Sequence, residues 1–324
     1  MSQKFPWTSP WIALPVAAVV AFHAPKSAYA ATFGAVSDYN VFVLGDLNQK
    51  ETDIEGRLAV GGNATIVDYA IASQLKDTAG LNSLVVGGNL SFERGQIFLG
   101  NATYGGTADL DKVAIPKGSF QQTQNVLDFA ALGQQLKTYS SQLGQLAANT
   151  QTEYKWDGIH LQGNNSALNV FTVDGSKFTT STYLDFNNIS SDSTVLVNVL
   201  GSKVDIKNFG LNLNGVNKQK VLFNFAEATE LSTYGFAFKG SVLAANAHFD
   251  FNNGHIDGNL IAGSLSGTGE SHNFKFEGDL PVAFPSTPSE EPAHVPEPSL
   301  LLGLAGVGSI LRLRRRQDKP QELN

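Results

Sequence analysis

The chain has 324 residues, 42% of them hydrophobic and 10% aromatic, with 32 Gly and a mean hydropathy of −0.08. Charged residues make up only 16%, against roughly 25% in an average globular protein. That balance excludes a disordered chain and a helical bundle, and suits a β-rich protein with many tight turns. Cys is absent, which removes disulfides, thiolate metal sites and Cys nucleophiles together.

The first thirty residues read as an export signal. Lys4 supplies a basic start, Trp11 to Phe22 is a short apolar run, and Ala28-Tyr29-Ala30 has the small-x-small form that signal peptidase accepts, with Ala28 and Ala30 as the recognised pair. The run is shorter than the ~20 residues of a membrane span. The exported chain is expected to start near Ala31.

From 31 to 280 a single β domain is expected. Short apolar runs recur, each closed by Gly or Asn: Val41-Phe42-Val43-Leu44 before Gly45-Asp46, Leu58-Ala59-Val60 before Gly61-Gly62-Asn63, and Leu84-Val85-Val86 before Gly87-Gly88-Asn89. Gly and Asn adopt positive φ at low cost, so a repeated Gly-Asn after a short strand is a repeated corner. Later runs keep the style, as in Thr194–Leu200, Val221–Phe225 and Gly240–Ala244. The expected fold is mainly β: an irregular right-handed β-solenoid, each coil burying its inward residues on the next. A two-sheet β-sandwich is the alternative. One helix, over about 119–148, interrupts the strands. Ser119 and Gln122 form a capping-box pattern, and Val126, Phe129, Leu132, Leu136, Tyr139 and Leu143 make an apolar stripe for packing on the β body.

The segment 281–299 is a Pro-rich tether. It holds six of the 12 prolines, while Pro116 is the only one between 31 and 280. A sorting or anchor segment, 296–316, and a polar tail, 317–324, follow. Leu300 to Leu311 is apolar and Gly-spotted, and a basic group at Arg312, Arg314, Arg315 and Arg316 would hold its end on the cytoplasmic side of a membrane. Pro296, Glu297 and Pro298, with Arg314, Arg315 and Arg316, resemble the PEP-CTERM sorting tail. The resemblance implies an exosortase-type sorting enzyme as partner, membrane attachment before processing, and a destination at the cell envelope, surface or matrix. Between residues 31 and 295 there are 15 basic and 26 acidic residues, a formal net charge of −11. A body this acidic lacks the basic footprint of a nucleic-acid binder.

The body also resembles a family. Tyr39–Leu47 (YNVFVLGDL), Asp53-Ile54-Glu55-Gly56-Arg57 and Val60-Gly61-Gly62-Asn63 are similar to the opening of the choice-of-anchor A domain, and Val221–Phe225, Phe251–Gly254 and Ser264–Glu270 to its end. The resemblance implies a bacterial extracellular adhesive domain without enzyme activity or cofactor. It suggests exopolysaccharide or another surface ligand as partner. At the level of fold, strands with a flanking helix also resemble ice-binding β-solenoids, though no Thr-x-Thr array repeats at coil spacing.

No catalytic motif emerges. Gly263-Ser264-Leu265-Ser266-Gly267 outlines a nucleophile elbow but has Leu at its centre. A β-helical carbohydrate-active enzyme would need a carboxylate pair, such as Asp250 with Asp257 or Asp46 with Asp53; a non-catalytic coat protein is the third reading. For a metal, the candidates are His248 with Asp250 and His255 with Asp257, each pair two residues apart on one strand face. His160 and His272 lack partners in the sequence.

Overall fold

The computed structural model describes residues 33–76 and 81–284. The export segment with Ala28 and Ala30, most of the tether, and the sorting segment with Pro296, Glu297, Pro298 and Arg314 to Arg316 lie outside the described residues.

Every pairing within the 19-stranded sheet is parallel. Successive strands of one coil do not pair with each other; they pair with the next coil. That pattern is a solenoid, and it excludes the two-sheet sandwich, whose hairpins would pair antiparallel. A second, four-stranded sheet continues the wall near one end. Gly158–Gln162, Tyr183–Asn187 and Gly210–Asn212 run parallel there, and Gln151–Lys155 closes its edge antiparallel.

The coils are not stacked in chain order. Val41–Val43 lies between Leu58–Val60 and the start of Leu260–Gly267. The chain therefore begins in the middle of the stack and winds outward to Phe120–Gln122. It crosses to the far end through the helix and winds back until its last coil meets its first.

The corners explain the Gly-Gly-Asn motifs. The Asp46 Oδ1 atom accepts from Asn63 N at 2.7 Å, Asn63 Oδ1 from Asn89 N at 2.9 Å, and Asn89 Oδ1 from Thr107 N at 2.8 Å. Each side chain thus satisfies a backbone donor of the next coil. The glycine pair before it lets the backbones approach: a Cβ on Gly87 would sit 2.4 Å from Gly61 O, and one on Gly88 2.7 Å from Gly62 O. A second corner uses no glycine. Glu51, Asp68, Arg94 and Lys112 occupy equivalent positions on successive coils, all with φ between 50° and 54°.

Two walls matter for function. The first is ten strands wide, from Leu168–Asp174 to Phe120–Gln122. It is covered by Phe129–Gly144, the one α-helix among the described residues. This helix is shorter than the expected 119–148. Phe120–Gln122 pairs as a strand, Ser119 N donates to Asn101 Oδ1, and Asp128 takes the capping role by accepting from Ala131 N at 2.9 Å. Leu136, Tyr139 and Leu143 pack on Phe42, Leu196, Leu222, Leu243 and Ile261. Asn224 Nδ2 donates to Ser140 O and Asn198 Oδ1, and Asn198 Nδ2 donates to Leu143 O, so a buried amide pair secures the helix end. The second wall, eight strands wide, carries no such cover among the described residues. Between the walls the core is aromatic, with Phe223, Phe238, Phe249 and Phe251 in ring contact.

Candidate binding face and groove

The open wall runs from Lys203–Lys207 through Glu230–Tyr234, the later halves of Ser241–Asn252 and Leu260–Gly267, then Leu47–Ile54, Ala64–Ile71, Leu90–Ile97 and Ala108–Ala114. Period-2 alternation decides what each strand shows to water. In Ala64–Ile71, Ala64 and Ile66 are buried and Thr65 is exposed; in Leu90–Ile97, Leu90 and Phe92 are buried and Ser91 is exposed.

Register then aligns the outward residues into a row. Asp205, Ser232, Asp250 and Ser266 are successive partners, and the row continues through Asn48, Thr65, Ser91 and Asp109. Every member is a short polar side chain, repeated at the ~4.8 Å strand spacing. Parallel to it, Lys203, Glu230, His248 and Ser264 form a second row at one end.

At that end the face becomes a groove of about 550 Å³. The short 3-10 helix Gly175–Thr179 lies beside it, contributing Ser176 and Thr179 to a lining that includes Asp205, Ser232, His248 and Asp250. The groove is a network of donors and acceptors. Ser232 Oγ donates to Asp205 Oδ1 at 2.6 Å, and Ser266 Oγ donates to Asp250 Oδ1 at 3.2 Å. His248 lies between two serines, with Nδ1 2.8 Å from Ser264 Oγ and Nε2 3.3 Å from Ser266 Oγ. Lys203 pairs with Glu230 at 2.8 Å and Lys207 with Asp205 at 2.7 Å. Burial alone would raise the Asp205 carboxyl, but hydrogen bonds from Lys207 and Ser232 outweigh it and hold the group below the ordinary Asp range. Asp205 therefore stays an acceptor across the neutral and mildly acidic range.

The four residues singled out as metal candidates do not come together. His248 and Asp250 face the groove. The turn Asn253-Gly254 carries the chain around a corner, so His255 and Asp257 belong to a different wall, on the strand His255–Asp257. Asp257 meets His272 there, Oδ1 to Nδ1 at 2.6 Å. His160 likewise gains a partner in Asp185 at 2.8 Å. Both contacts join residues on neighbouring coils, a distance of 15 to 25 positions in sequence, so spacing along the chain gave no sign of them. The enzyme pairing of Asp250 with Asp257 is divided by the same corner. Asp46 accepts from the backbone of Asn63, and Asp53 lies on the strand that borders Ser271, so these two also serve separate places.

Residues 32–273 match the family model described as "Putative Ice-binding-like adhesive domain". The chain belongs to this family. The match of the ice-binding-like adhesive domain takes in the whole open wall and the helix that covers the opposite one. No curated protein matches the chain. Among solved structures it is similar to an ice-binding protein from the Antarctic ascomycete Antarctomyces psychrotrophicus, at 12% identity and a TM-score of 0.38 over 76% of this chain and 98% of that one. It is also similar to the ice-binding protein LeIBP from an Arctic yeast, at 10% and 0.35 over 81% and 99%. The DUF3494 domain of Shewanella frigidimarina ice-binding protein 1 matches at 12% and 0.29 over 76% and 97%. Among the described residues no helix is long and apolar enough to cross a membrane.

Proposed function

We propose that this chain is an exported, non-catalytic surface adhesin whose open wall holds a hydroxyl-rich polymer such as an exopolysaccharide. The observation that carries the reading is the unbroken row from Asp205 to Asp109, eight short polar side chains in register on parallel strands. A polymer of sugar hydroxyls presents both donors and acceptors; carboxylates accept from them, and hydroxyl and amide groups both accept and donate. The groove gives that row a deeper seat with Ser176 and Thr179 on its flank. Membership of the adhesive family supports the role. Charged groups at Lys203, Asp205, Glu230 and Asp250 keep the groove strongly hydrated, which favours a polar solute ligand.

Two features favour binding over catalysis. In the groove a glycoside hydrolase would need one carboxyl raised to act as an acid, whereas Asp205 there is lowered. Asp250 is already occupied by Ser266 and Asn252. Ala28-Tyr29-Ala30 is the proposed export cleavage site, and Pro296-Glu297-Pro298 with its arginines the proposed exosortase-type sorting signal.

The test is binding of the purified chain to the host's own exopolysaccharide and a glycan panel, beside Ser232→Arg, which fills the groove from a half-buried position in its lining. Saturable binding by the native chain and its loss in S232R are expected. Equal binding by both, or none by either, contradicts the reading.

A further inference from the structure

The wall around the corner from the groove carries a second constellation. His255–Asp257 and Glu270–His272 are adjacent parallel strands, with His255 opposite Glu270 and Asp257 opposite His272. Ile256 and Ser271 point inward, at 0% and 2% exposure, so the flanking four side chains share the outer surface. Ile54 pairs with Ser271, which places Asp53 and Glu55 on the next strand beside them. Four carboxylates, two imidazoles and Lys218 thus meet on one small patch.

We propose that His255, Asp257 and His272 bind a divalent transition-metal ion of the zinc class, with Glu270 and Lys218 as outer partners. His255 Nε2 is 4.0 Å from Asp257 Oδ1, and His272 Nδ1 is 2.6 Å from the same oxygen. Donor atoms of the three residues all lie within 4.8 Å of one another. Tetrahedral bonds of about 2.0–2.1 Å place ligand atoms roughly 3.3 Å apart, a separation that the observed 2.6 and 4.0 Å bracket. Side-chain adjustment on two fixed strands is enough to reach it.

The surroundings divide the work as metal sites do. His272 Nε2 faces Glu270 Oε1 at 3.1 Å, leaving Nδ1 for the ion; a ligating imidazole held by a carboxylate on its other nitrogen is the usual supporting arrangement. Lys218 Nζ donates to Asp257 Oδ2 at 2.9 Å, which orients the carboxylate and turns Oδ1 toward the two imidazoles, where an ion would replace its 2.6 Å contact with His272 Nδ1. Lys218 is itself held 3.4 Å above the Phe274 ring. The two imidazoles stack at 4.9 Å between centroids, 30° apart. Two imidazoles with a carboxylate suit zinc, cobalt or nickel rather than the all-oxygen shell of calcium or magnesium. Three protein ligands leave a fourth position, and His255, 38% exposed at its side chain, opens it to solvent.

The experiment titrates the chelator-stripped, full-length chain with Zn²⁺ and with Co²⁺. One equivalent should bind. His255→Gln and His272→Asn should each weaken binding more than tenfold, and Glu270→Gln by about tenfold, the usual cost of losing an outer partner. His248→Gln, a change in the groove, should bind as the native chain does. Absence of uptake by the native chain, or uptake undiminished in H255Q and H272N, overturns the site. If those variants fail to fold, the native Co²⁺ complex decides: two paramagnetically shifted imidazole N–H signals support the assignment, and their absence overturns it. Because the polymer-binding wall is separate, S232R is expected to retain the metal.

Discussion

On the helix-covered wall Leu58–Val60 is buried at all three positions, and Thr194–Leu200 at six of seven. Across the corner, Ala64–Ile71 alternates buried and accessible residues. Both walls are parallel strands of the same coils, so pairing does not separate them. What separates them is the layer outside. Where the helix Phe129–Gly144 supplies an apolar partner, a strand buries both faces and reads as a continuous apolar run. Where water is the outer layer, only the inward residue is apolar and its neighbour is free to carry polar chemistry.

Substitutions on the two walls break or sharpen that contrast. Phe42→Ala removes a fully buried ring between coil and helix and should cost about 3–5 kcal/mol, read from urea unfolding. Thr65→Ala, one coil away on the open wall, should stay within about 0.5 kcal/mol; a cost equal to that of F42A would mean that the open wall has a cover. Asn224→Ala strands the buried partners Ser140 and Asn198 and should cost about 1–3 kcal/mol, with helical signal near 222 nm lost before the β signal.

Smaller effects follow. The Tyr139 hydroxyl is buried without a hydrogen-bond partner among the described residues, so Tyr139→Phe should leave the melting temperature unchanged or raise it, by no more than about 1 kcal/mol equivalent. A clear loss would reveal a partner for that oxygen. Asp205 is held below its ordinary value, so its contribution is present above the unfolded pKa of about 3.9 and disappears as pH falls through the lower folded value. Chain stability relative to Asp205→Asn should therefore exceed zero by a few tenths of a kcal/mol at pH 5–8, given its solvent exposure, and converge with it near pH 3. A difference that grows on acidification would reverse the sign.

Much of this contrast is legible in the sequence, because both signals are local. Runs such as Val221–Asn224 mark strands, and Gly-Asn pairs mark corners, through the backbone freedom of those residue types. The corner at Glu51, Asp68, Arg94 and Lys112 carries no such mark: an exposed charged side chain tolerates positive φ at modest cost when stacked coils hold it there. The helix starts at Phe129 rather than near Ser119, because Ser119 and Gln122 have capping-box spacing while the strand ladder claims them. Coil order was invisible, since Val41–Val43 can stack on either Leu58–Val60 or Leu260–Gly267 by pattern alone, and the structure uses both. The same blindness hid the partnership of Asp257 and His272, which exists only once coils are stacked in register.

Hydrogen–deuterium exchange with and without bound exopolysaccharide tests the central claim most directly. The account predicts added protection confined to open-wall strands around the groove, Lys203–Lys207, Glu230–Tyr234 and residues 246–252, with the helix Phe129–Gly144 unchanged. Protection centred on the helix, or on no segment of the open wall despite saturable binding, would contradict it.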